Sequence, residues 1–239
     1  MQKTKLNRFI QKYNLNGNVN SVKWSAKDNS LSTSFVTSDK SLMGNVTVDN
    51  FQFDDGDVGV YTTDQLVKLL NVLGEDVTMD VSRFGDKAVT LKVKNGVVSI
   101  DYTLSDLSVI PDPPTLKRLP DFQTQIKVDS SFIDTFIKGK SALSEAETFT
   151  VVNGNTGPQV VIGYASTNTN RVNIPVETTS NGLTDNVSFN ANLFRDVLSA
   201  NKECTSATLE VSNEGLARIN FKVDDYSSEY FIVATQGVD

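Results

Sequence analysis

With 239 residues and a hydrophobic fraction of 38%, the chain has room for one large domain or two of ordinary size. It contains no apolar run near the ~20 residues that cross a bilayer, so it is not expected to enter a membrane. It holds no histidine, a single cysteine (Cys204) and a formal charge of −7, which removes the Ser-His triad, the Cys-His dyad, nearly all catalytic zinc sites and any intrachain disulfide framework.

In chain order, residues 2–14 place Leu6, Phe9, Ile10 and Tyr13 on one helical stripe, and alternating segments at 21–26 and 30–36 then read as strands. Turn chemistry follows at Asp28-Asn29, Asp54-Asp55-Gly56-Asp57, Gly85-Asp86 and Asn95-Gly96. The last of these is a strong hairpin signal between strands at 89–93 and 97–100. A second helix carries Leu66, Leu69, Leu70 and Leu73. Residues 109–122 contain Pro111, Pro113, Pro114 and Pro120, four of the six prolines, which suit an extended connector and not a central strand. Beyond it come a helix at 130–141, strands, a helix at 191–202, and strands at 207–211, 216–223 and 228–234. Thr62 or Thr63, Asp129 or Ser130, and Asn190 are the expected caps of the second, third and fourth helices. No apolar leader follows Met1 to Lys5, and the lone thiol fits a reducing compartment, where the triplets at Asn45 and Asn186 carry no glycan.

The halves repeat one another. Leu6, Phe9 and Ile10 recur as Ile133, Phe136 and Ile137, 127 residues on, and the run from Tyr61 to Leu70 meets the run from Phe189 to Leu198, 128 residues on. This predicts an α+β chain of two similar domains, 1–108 and 123–239, joined by the connector 109–122. The four helices carry Lys3, Lys5, Arg8, Lys12, Lys68, Lys138, Lys140, Arg195 and Lys202 against Asp64, Asp134 and Asp196, while the chain as a whole is acidic. Lys5, Arg8 and Lys12 form one row about 120° round from the core stripe. Lys140 projects close to the apolar stripe and Lys3 lies near the helix end. Those nine residues are the candidate polyanion contacts. Without Arg/Asn/Gln clusters suited to base edges they would read the phosphate backbone and not the sequence.

Two helix-and-meander units, a proline-rich connector and basic helix faces on an acidic chain resemble the sliding clamps that act as DNA polymerase processivity factors, above all those of T-even-like bacteriophages. The segments that carry the resemblance are Asp57-Val58-Gly59-Val60-Tyr61 leading into the second helix, Val109-Ile110-Pro111-Asp112-Pro113, Gln125-Ile126-Lys127-Val128-Asp129 leading into the third helix, and Tyr230-Phe231-Ile232-Val233-Ala234. The resemblance covers essentially the whole chain. It implies a non-enzymatic homotrimeric ring without cofactor or metal, sheets outside and helices inside, encircling double-stranded DNA at the replication fork in the cytoplasm of an infected bacterium. It also implies that the replicative polymerase and the clamp loader dock through C-terminal peptides into an apolar pocket beside the connector, for which Leu42, Val109, Ile110, Pro113 and Leu116 are the candidates. Val109 and Ile110 have a second reading, that they pin the connector to the sheets.

Rival readings rest on less. The aspartates at 54, 55 and 57, and at 224 and 225, are candidates for a divalent metal but sit in turns, where Asp and Gly serve geometry. Gly154, Gly157 and Gly163 lack phosphate-loop spacing, and Cys204 has no histidine to activate it. A β-rich capsid or tail protein would share the acidity and would not need basic helix faces. A single-strand binder would interleave aromatics with the exposed cations. Gly139, inside the third helix, has two accounts: close approach of the backbone to DNA, or an early helix end.

Overall fold

The computed structural model describes residues 2–154, 157–165, 167 and 169–235. The chain divides into two units, one formed by Met1–Ser38, Gly44–Pro114 and Asp224–Ser228, the other by Asp39–Met43, Thr115–Val223 and Glu229–Asp239. The main division falls after Pro114, inside the proline-rich stretch. The small exchanged segments at 39–43 and 224–228 have no signature in composition.

In the first unit, α1 (Lys3–Asn14) buries Leu6, Phe9, Ile10 and Tyr13 and ends where Leu15 turns into the left-handed region, at φ 47°. Strands β1 (Val22–Lys27), β2 (Ser30–Val36), β3 (Leu42–Val48) and β4 (Gly56–Val60) lie in the order β4-β1-β2-β3. Their buried and exposed residues alternate along β1, with Val22, Trp24 and Ala26 inward, because successive side chains of a strand point to opposite faces. Helix α2 (Thr63–Leu70) follows, and β5 (Thr78–Phe84), β6 (Lys87–Asn95) and β7 (Val98–Thr103) form an antiparallel meander. Asn95 pairs with Val98, so the hairpin loop is Gly96-Val97 with Gly96 at φ 58°, one residue later than the Asn-Gly signal suggests. A 3-10 turn at Leu107–Val109 precedes the connector, which is tied back by Lys23 to Asp112 at 2.5 Å. Gly59 lets the chain leading into it lie close, since a Cβ there would collide with the Ser105 carbonyl and crowd Ile110 Cδ1.

Among the described residues the second unit repeats the plan with two added strands. β8 (Thr124–Asp129) runs directly into α3 (Ser130–Ala142), then come β9 (Thr148–Gly154), β10 (Gly157–Ile162), β11 (Val172–Pro175), β12 (Thr178–Asn181), β13 (Val187–Asn190), α4 (Ala191–Ala200), β14 (Ser206–Val211), β15 (Leu216–Val223) and β16 (Tyr226–Val233). The sheets have the orders β11-β10-β9-β13 and β12-β8-β14-β15-β16. The helices pack on an all-phenylalanine cluster, with Phe149 stacked on Phe194 at 4.7 Å and Phe136 edge-on to both. Gly139 belongs to this packing. The helix continues past it to Ala142, and a Cβ there would press on Val172 and Ile162 at 3.1 and 3.2 Å, so the glycine admits β10 and β11 against α3 and neither of the expected accounts applies.

Two of the expected caps form. The Asp129 carboxylate accepts from Phe132 N at 2.9 Å, and the Asn190 side chain accepts from Asn192 N and Leu193 N at 2.9 and 3.0 Å. Thr62 makes no cap bond. At α2 the first amides are served by Asn20, whose backbone carbonyl accepts from Thr63 N and whose side-chain oxygen accepts from Asp64 N, both at 2.9 Å. Replacing Asn190 with Ala should therefore cost about 1 kcal/mol in denaturant unfolding, whereas Thr62→Ala should leave the midpoint nearly unchanged. Equal losses at both sites would contradict this capping pattern.

Candidate nucleic-acid interface

Each helix turns one face to its core, so its cations must find a carboxylate, a carbonyl, an aromatic ring or water, and the structure divides the nine candidates among these. On α1 the expected exposed row is not exposed. Lys5 donates to Asp225 at 2.5 Å and to the Asn50 carbonyl at 3.0 Å, and Arg8 meets Asp224 at 3.1 Å while its guanidinium lies 4.5 Å over the Tyr226 ring. Lys12 is fully buried, its ammonium 5.4 Å from the same ring. Tyr226 completes the arrangement by donating to the Lys5 carbonyl at 2.8 Å. The row does lie away from the core stripe, but the segment 224–226 of the same unit covers it. The Lys5 ammonium, then Asn50, hold the Asp225 carboxyl below its ordinary pKa.

Two more cations satisfy helix ends. Lys3 donates to the Leu73 carbonyl at 2.5 Å, just past α2. Lys140 is 1% exposed and donates to the Leu143 and Ser144 carbonyls at 3.3 and 2.8 Å, closing the C-terminus of its own helix, where orphan carbonyls attract a cation. Burial, then the nearby Arg195 charge, lowers the Lys140 pKa. Arg195 is half-buried against Asp196 at 2.8 Å. Among the described residues, Lys68 on α2, Lys138 on α3 and Lys202 just beyond α4 are exposed and make no ion pair or hydrogen bond. They are the part of the predicted set that presents free positive charge.

The candidate peptide contacts also separate by burial. Val109 is 56% exposed, Pro113 half-buried and Ile110 buried in the first unit, where Ile110 packs on Gly59. Leu42 is fully buried and Leu116 39% exposed in the second. Leu42 and Ile110 are therefore core residues in this conformation, because a side chain sealed from solvent offers no surface to an incoming peptide. The sequence carried no signal for the pairing of Asp224 and Asp225 with α1, since the partners lie more than 200 residues apart. Among the described residues no group of three acidic or thiol side chains could hold a metal ion, and Cys204 is buried. Among the described residues no helix is long and apolar enough to cross a membrane.

No family model and no curated sequence matches the chain. Its fold, however, is that of solved PCNA-type sliding clamps. It aligns over 100% of its length with 98% of an Archaeoglobus fulgidus (A. fulgidus) PCNA described as bound to the C-terminal region of FEN-1, at 14% identity and a TM-score of 0.75. Entamoeba histolytica PCNA matches at 12% identity and 0.74, over 99% of this chain and 97% of that one. A chain of the Sulfolobus tokodaii PCNA2-PCNA3 complex matches at 7% and 0.72, over 98% and 97%. At these identities the likeness is one of fold.

The Lys5–Asp225 pair has a pH signature. A carboxyl with a lowered pKa contributes stability that is complete above its ordinary value of 3.8 and is lost as the pH falls through the lowered one. NMR titration should place the Asp225 midpoint below 3.8, and Lys5→Met should move it back up; an unmoved midpoint would rule out the pair as its cause.

Proposed function

We propose that the chain is a non-enzymatic sliding clamp that closes as a homotrimer around duplex DNA and gives processivity to the replicative polymerase of a T-even-like bacteriophage, at the replication fork in the host cytoplasm. The observation that carries this reading is the end-to-end likeness of both units to a clamp chain, 100% of one against 98% of the other. A capsid or tail component has no support from these matches. Three chains of two units supply six similar units, and pairing one free sheet edge of each chain with one of the next would close a circle.

The DNA-facing charge narrows to Lys68, Lys138 and Lys202, whose exposed ammonium groups are point charges suited to phosphate and not to base edges. A loose contact of this kind permits sliding and gives weak, salt-sensitive affinity. Arg195, Lys5 and Arg8 reach a phosphate only by leaving Asp196, Asp225 and Asp224. Lys3, Lys12 and Lys140 stay with their carbonyls and the Tyr226 ring. For C-terminal peptides of the polymerase and clamp loader, the accessible apolar anchors are Val109 and Pro113 on the first unit and Leu116 on the second.

Native mass spectrometry over a concentration series should give three subunits that separate on dilution, and a strict monomer or an open polymer would defeat the ring. Replacing Lys68, Lys138 and Lys202 together by Ala should leave that mass and the thermal midpoint unchanged while DNA retention weakens and its salt dependence flattens, by a slope of about 0.9 for each phosphate no longer neutralised. Lys12→Ala and Lys140→Ala should instead lower the thermal midpoint.

A further inference from the structure

The two repeats differ at one sheet edge. In the second unit β14 is covered by β8 along six residue pairs, from Ser206↔Asp129 to Val211↔Thr124. Its counterpart 128 residues earlier, β5, is the outermost strand of its sheet. The residues leading into α1 reach only the approach to β5, through the Gln2↔Asp76 bridge and Lys3 N donating to the Glu75 carbonyl at 2.7 Å. In an antiparallel edge strand every second residue turns its N–H and C=O away from its single neighbour, so β5 carries backbone groups that only another strand or water can satisfy.

The side chains differ in the same sense. Inward-facing Ala207 and Leu209 on β14 are buried at 8% and 0%, whereas the equivalent Met79 and Val81 on β5 are only half-buried. A cleft of about 350 Å³ opens at the start of the strand, lined by Val77, Thr78 and Met79 on one side and Asn29, Phe53 and Asp54 on the other. Outward, Asp80 is exposed and without an ion pair among the described residues, because Lys92 across from it pairs with Asp101 at 3.6 Å. Asp54 lines the cleft at the start of the strand, and Glu75 and Asp76 precede it, while Lys94 lies across from Thr78 and Arg83 stands near the strand's end, so the carboxylate at the middle of the edge is Asp80.

We infer that the outer edge of β5 is a docking site for an extended segment of a partner protein in which apolar and basic residues alternate. The segment adds a strand antiparallel to β5, in the position that β8 holds on β14. Its backbone bonds the edge, its apolar residues cover Met79 and Val81 as Val128 and Ile126 cover Ala207 and Leu209, and a basic residue faces Asp80 where Lys127 faces Thr208. This inference stands apart from the DNA-clamp reading, since it uses neither the helix cations nor the connector.

The test uses the full chain and a synthetic peptide, Thr-Lys-Ile-Lys-Val-Lys, with a scrambled control that places the two apolar residues side by side. Hydrogen-exchange mass spectrometry should show saturable protection of residues 78–84 by the first peptide and none by the control. Asp80→Lys, a change at an exposed site, should weaken binding roughly tenfold with the thermal midpoint unchanged, through like-charge repulsion. A peptide carrying Glu in place of its central Lys should lose a similar factor against the unaltered protein. Equal binding of the scrambled peptide, or protection elsewhere with 78–84 unaffected, would overturn the assignment. So would protection of 78–84 in the peptide-free protein that fades on dilution, which would put a second copy of this chain on the edge.

Discussion

A charged side chain on a helix whose apolar face is buried has to be satisfied by a carboxylate, a helix-end carbonyl, an aromatic ring or water, and the surface chemistry of this protein depends on how its helix cations divide among these. Leaving an ammonium sealed without a partner costs several kcal/mol, so each buried cation has one. Lys140 takes two carbonyls at the end of its own helix, and Lys12 lies against the Tyr226 ring. What remains for an external polyanion is only the charge that no internal group has claimed.

That division gives the segment 224–226 a role a turn alone would not have. Asp224, Asp225 and Tyr226 gather Lys5, Arg8 and Lys12 into one arrangement of ion pairs and ring contacts on α1. Each exposed pair by itself is worth little. Together they offset two of the four positive charges of the most basic helix, and in doing so they fix residues from the far end of the sequence to the first helix.

The two units share a plan and differ in detail. The first core is built around Tyr13, whose buried hydroxyl accepts from Trp24 Nε1 at 3.3 Å and meets Thr63 Oγ1 at 3.2 Å, because a buried phenol needs partners. Burial raises its pKa. The second core replaces this network with stacked and edge-on phenylalanines that need none. The edges differ too: a strand that is covered in one unit is bare in the other, which turns a structural position into a surface that can recruit.

The sequence by itself determined the order of the four helices and of several strands, the inward stripes of those helices, the alternation of the early strands, and the caps at Asp129 and Asn190. These are local patterns, set by residues within a turn of helix or a strand pair of one another. The likeness between halves was legible for the same reason, as one local pattern met twice. Only the tertiary structure decided that Asn20 and not Thr62 serves α2, that Gly139 makes room for Val172 and Ile162, that Leu42 and Ile110 are core, and which basic residues face water. Apart from Lys140 and Arg195, whose partners are close in the chain, these depend on residues brought together by folding from distant positions, more than 200 residues apart for Lys5 and Asp225. Spacing along a sequence reports which face a side chain occupies and carries no record of what will cover that face.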